Sequence, residues 1–92
     1  MITAIALIHC EPSMIPEVAA QISALDRVRE VYSVTGDVDL IAIVRVRDHE
    51  HLADVIADHI SKVKGVLGTR TYIAFRSYSQ HDLDTAFDLG LD

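Results

Sequence analysis

Apolar residues follow two rhythms along this chain. Over residues 2–10 they alternate by twos. Ile2, Ala4, Ala6, Ile8 and Cys10 share one face, and Thr3, Ile5, Leu7 and His9 the other. Both faces are largely apolar, which predicts a strand covered on both sides. After the break at Glu11-Pro12, the rhythm changes to helical spacing: Ile15, Val18, Ala19, Ile22 and Leu25. Ser13 is placed to cap this helix, Pro16 is tolerable in its first turn, and the helix should end near Leu25 or Asp26. Two further strands are predicted over 28–35 and 38–47, the latter again apolar on both faces. Asp48 then caps a second helix with the inner stripe Leu52, Val55, Ile56, Ile60 and Val63. Gly65 ends it, and a fourth strand is predicted over 66–78.

The order is therefore strand, helix, strand, twice over. Two such halves assemble most simply as an α+β, ferredoxin-like βαββαβ sandwich: a four-stranded antiparallel sheet with two helices on one face. Right-handed crossovers put both helices on the same side. The opposite face is left bare and apolar, which is an association surface. A second copy can cover it by a self-complementary contact. The expectation is a homo-oligomer, at least a dimer paired sheet to sheet as a dimeric α+β barrel. Residues 1–78 form the domain, and 79–92 form an acidic tail, either solvated or docked on a neighbouring subunit.

Composition narrows the partners. The chain has 92 residues, enough for one domain, and half of them are hydrophobic, which again favours burial between subunits. A net charge of −6 with eight scattered basic residues argues against a nucleic-acid surface. The single cysteine, Cys10, excludes an intrachain disulfide and fits a reducing cytosol. No signal peptide or membrane-length apolar run is visible, so a cytoplasmic protein without membrane contact is expected.

The candidate chemistry sits at Val31-Tyr32-Ser33-Val34-Thr35-Gly36-Asp37-Val38-Asp39-Leu40. Gly36-Asp37 between two strands predicts a tight hairpin turn. Asp37 and Asp39 put two carboxylates beside an uncovered glycine backbone. Bare N–H groups receive an anion and a carboxylate receives an ammonium, a pairing suited to a zwitterion such as an α-amino acid. Gly and Asp also dominate ordinary turns. Tyr32 either packs at an edge or walls a pocket beside the tip. Thr69 and Thr71 share a face of the fourth strand, where their hydroxyls could complete a polar wall or simply reflect β propensity. His9 ends the first strand and reads as structural. His51 and His59 lie eight apart, without the spacing that brings two imidazoles over one ion, so no metal site and no cofactor are expected.

With this order, Thr35-Gly36-Asp37-Val38-Asp39 after a valine-rich strand, and Gly65-Val66 leading to Thr69-Arg70-Thr71, residues 2–78 resemble a known family. It is the effector-binding (RAM) domain of the Lrp/AsnC transcriptional regulators. The resemblance implies a non-catalytic module that binds small effectors, commonly amino acids, in clefts between dimers that often assemble into octamers. It assigns ligand contacts to Gly36, Asp37 and Asp39, then to Tyr32, Thr35, Val38, Thr69 and Thr71. A first strand at Ile2 leaves no room for the helix-turn-helix domain of those regulators. A stand-alone effector domain is therefore expected, without direct DNA binding, with a full-length Lrp/AsnC regulator as a conceivable partner. The alternative is a small dimeric α+β-barrel enzyme of monooxygenase or isomerase type. It would need His9, Asp37 or Asp39 as acid or base in an enclosed cavity.

Overall fold

A computed structural model describes residues 1–78. Four strands, β1 (Ile2–Cys10), β2 (Val28–Ser33), β3 (Leu40–Val46) and β4 (Val66–Ile73), form one antiparallel sheet in the order β2-β3-β1-β4. β1 pairs β3 from Ile2↔Val46 to Ile8↔Leu40, and pairs β4 from Ala4↔Ile73 to Cys10↔Val66. The β1–β4 register shifts between His9 and Cys10.

The alternation predicted for β1 is the one observed. Ala4, Ala6, Ile8 and Cys10 are buried with Leu40, Ala42, Val44 and Val46 of β3. Val18 and Ile22 of the first helix, and Leu52, Val55 and Ile60 from the second helical segment, close this core. On the opposite face, β1 and β3 set Ile5 against Ile43 and Leu7 against Ile41, all only half-buried. The outer strands flank these pairs with Tyr32 and Tyr72, 49% and 51% exposed.

The helices depart from the simple pattern. Ser13 does not cap the first one. Pro12 fixes its own φ and opens a 3-10 turn over Pro12–Met14, closed by the Met14 N–H on the Glu11 carbonyl at 2.8 Å. Ser13 is consumed inside that turn, and α1 (Ile15–Ser23) starts after it with Met14 at the cap position and no side-chain cap. The second helix does begin on Asp48, whose Oδ1 accepts the His51 N–H at 2.9 Å. It runs as α2 (His49–Ala53), then a π turn over Asp54–His59, then a 3-10 turn over Ile60–Lys62. A uniform α-helix would align His59 with Leu52 and Val55. The wider π turn carries Ile60 onto that line instead, so Ile60 is fully buried and His59 exposed.

β2, β3 and β4 are all shorter than their apolar patterns. β2 stops at Ser33, not 35, and β3 starts at Leu40, not 38. The expected tight turn at Gly36-Asp37 is a loop over residues 34–39, because Asp39 turns its backbone N–H to the Ile8 carbonyl of β1 at 3.0 Å. β4 ends at Ile73, not 78: its last pair on β1 is with Ala4, and the Ala74 N–H then closes on the Thr3 carbonyl. The acidic tail lies outside the described residues.

Candidate functional site

The loop 34–39 hangs between β2 and β3 beside the end of β1. Thr35, Gly36 and Asp37 are exposed, Val38 is buried and Asp39 half-buried. Gly36 takes φ +115°, a conformation that L side chains rarely adopt, and a Cβ built on it would meet nothing within 4 Å. Its backbone is therefore open to whatever approaches. Asp37 follows it with no hydrogen bond or ion pair among the described residues.

Asp39 is differently placed. Its Oδ2 accepts the Cys10 backbone N–H at 2.9 Å, and its carbonyl accepts the Val34 N–H at 3.2 Å. Burial, and then the charge of Asp39, push the Cys10 thiol above its ordinary pKa. The two aspartates, either of which was expected to receive a ligand ammonium, thus sit in unlike settings, one exposed at the tip and one tied to the sheet.

The remaining predicted residues divide by face. Tyr32 stands opposite Ile41 on the bare side of the sheet, and its hydroxyl donates to the Glu30 carboxylate. Thr69 and Thr71 stand opposite Ile8 and Ala6, on the helix side. Thr71 lines a groove of ≈ 310 Å³ with His49, Leu52, Ala53, Ile56 and Ile73. Within one chain, then, Tyr32 and the two threonines do not meet. His9 is exposed at the strand end and lines none of the concavities described for the chain.

Pattern reasoning missed a second concavity of ≈ 240 Å³ between the α1–β2 turn and the π turn, where His51 and His59 join Asp26, Arg27 and Asp54 over Leu25 and Val55. Both rings have one nitrogen engaged: His51 Nδ1 lies 2.7 Å from Asp48 Oδ1, and His59 Nδ1 lies 2.9 Å from the Asp54 carbonyl. Among the described residues no group of three or more His, Cys, Asp or Glu is arranged to hold a metal ion. No helix among them is long and apolar enough to cross a membrane.

A sheet of this order with a loop of this composition has close counterparts. Residues 3–84 match the family model of the Lrp/AsnC ligand binding domain. The chain belongs to this family. TTHA0845 of Thermus thermophilus is 44% identical to it, covers 87% of this Lrp/AsnC domain with 100% of its own chain, and superposes with a TM-score of 0.82. The transcriptional regulator LrpA of Pyrococcus horikoshii is 37% identical over 59 residues, which is 64% of this chain and 42% of that protein. A feast or famine regulatory protein of M. tuberculosis, solved in complex with L-methionine, is 27% identical over 87% of this chain and 54% of its own, with a TM-score of 0.73. The chain spans about half the length of the curated relatives it matches. The Lrp/AsnC domain is the ligand-binding part of transcriptional regulators and not a catalytic one, which sets aside the enzyme reading.

Proposed function

We propose that this Lrp/AsnC domain binds an amino acid or a similar small zwitterion at a boundary between copies of itself. The observation that carries the reading is the open tip of the loop: bare Gly36 backbone next to the exposed carboxylate of Asp37. Backbone N–H groups there suit a ligand carboxylate, and an aspartate suits its ammonium. The M. tuberculosis relative holding L-methionine supports an amino acid as the ligand class.

Where these residues sit supports a boundary between copies. Tyr32 on one face and Thr69 and Thr71 on the other can serve one ligand only if different copies contribute them. The bare face supports association, since Ile5, Leu7, Ile41 and Ile43 form an apolar centre that a second sheet would cover. Larger rings of such dimers, up to an octamer, would place loops 34–39 of neighbouring copies together. A full-length Lrp/AsnC regulator is the natural partner for a mixed assembly.

The test is a thermal-shift screen of the twenty amino acids, followed by light scattering with and without the best ligand. A ligand bound only by the folded state at ~100 times its Kd adds about 2.7 kcal/mol and raises the Tm accordingly. No shift with any of them would overturn the proposal.

A further inference from the structure

We infer that Asp39 is a positioning residue that holds the ligand loop, and that Asp37 alone presents the carboxylate to the ligand's ammonium. This rests on the effector reading above.

The β1–β3 ladder ends at Ile8↔Leu40, while β1 runs on to Cys10. The Cys10 N–H is thus left beyond the last ladder partner on β3, at a buried residue beside the register shift. Asp39, one residue before β3 begins, fills that gap with its side chain and accepts this N–H. Its backbone does the same for the neighbouring groups, donating to the Ile8 carbonyl and accepting from Val34. One residue therefore ties the end of β2, the start of β3 and the end of β1. Everything at the tip, Gly36 and Asp37 included, lies between the two anchored positions 34 and 39.

One oxygen of Asp39 is committed to a backbone N–H in a half-buried position, which fixes the carboxylate's orientation toward β1 and limits its freedom to turn to a ligand. Asp37 has neither constraint. Its side chain is exposed and reaches solvent from a loop whose two ends are fixed, which is how a binding group is presented without being held.

Asn replaces Asp with nearly the same shape, keeps an oxygen that can accept the Cys10 N–H, and removes the charge. Wild type, Asp37→Asn and Asp39→Asn are titrated calorimetrically with L-methionine. Amide exchange at Cys10 is measured without ligand in wild type, Asp39→Asn and Asp39→Ala. Asp39→Asn should keep its Kd within about threefold, and Asp37→Asn should weaken binding about tenfold or more. The Cys10 amide should stay protected in Asp39→Asn and exchange roughly tenfold faster or more in Asp39→Ala. Weakening in Asp39→Asn equal to that in Asp37→Asn, or full Cys10 protection in Asp39→Ala, would overturn the inference. Absence of L-methionine binding by wild type overturns the role given to Asp37. If every other amino acid also leaves the Tm unmoved, the effector reading falls with it. The exchange comparison then decides the Asp39 anchor independently.

Discussion

Gly65 lies so close to Val18 that a Cβ on it would meet Val18 Cγ2 at 2.8 Å. The glycine holds φ +101°, and its carbonyl accepts the Glu11 N–H at 2.7 Å, pinning the turn before β4 to the start of the α1 region. Val18 is fully buried and has nowhere to retreat. Gly65→Ala adds both backbone strain and overpacking and should cost about 1–3 kcal/mol. Urea unfolding of the variant measures it, and an unchanged midpoint would contradict the packing described.

The start of the second helix should respond to acid. Asp48 accepts the His51 N–H and lies beside its ring, and these bonds hold its carboxyl below the ordinary value of 3.8. A lowered folded pKa gives stability that is present above the unfolded pKa and is lost as pH falls through the folded one. Asp48→Ala should therefore melt below wild type near pH 7, and the gap should close as pH falls below the ordinary value of 3.8 and through the lowered folded one. Parallel melting curves from neutral to strongly acidic pH check it.

Charge on the bare sheet face should prevent association. Leu7 lies at the centre of that face with Arg70 as its β4 partner, so a lysine there meets a like charge as well as losing apolar contact. Light scattering at micromolar concentration should give a dimer or larger for wild type and a smaller species for Leu7→Lys, with the circular dichroism spectrum retained. A well-folded wild-type monomer would remove the basis for pairing.

The 92-residue chain should not bind duplex DNA by itself. A net charge of −6 opposes the phosphate backbone and removes the counterion-release contribution that supports most DNA binding. Gel retardation at ~0.15 M salt should show free DNA only. A salt-sensitive shift would show a local basic surface outweighing the net charge.

Local periodicity was enough to read β1 to its ends, the core stripe of both helical segments, and the four-stranded sheet with its two-helix layer. These rest on alternation and helical spacing, which are properties of neighbouring residues. What escaped depends on distant ones. The loop over 34–39 opens because Asp39 bonds to Ile8 and Cys10, the latter 29 positions away. β4 stops at Ile73, opposite Ala4 of β1, though its own apolar pattern continues. The π turn over Asp54–His59 is likewise invisible in spacing alone, although the stripe it serves already included Ile60. The site was legible as a composition around Gly36. The unlike settings of Asp37 and Asp39, and the separation of Tyr32 from Thr69 and Thr71 by a whole sheet, were not.

The order β2-β3-β1-β4 also has a consequence for the newly made chain. Of the sheet's four strands the first made is an interior one, and its two neighbours are the last two made. β2 and β3 can pair early as a local hairpin, but β1 waits for β3 on one edge and for β4, completed only at Ile73, on the other. Until β3 is made, this nine-residue strand, apolar on both faces, has neither of its sheet neighbours, since only α1 and β2 follow it in the meantime. Such delayed, long-range pairing is slow and exposes sticky intermediates. Truncation before Ile73 should therefore convert a folding domain into a substrate for chaperones.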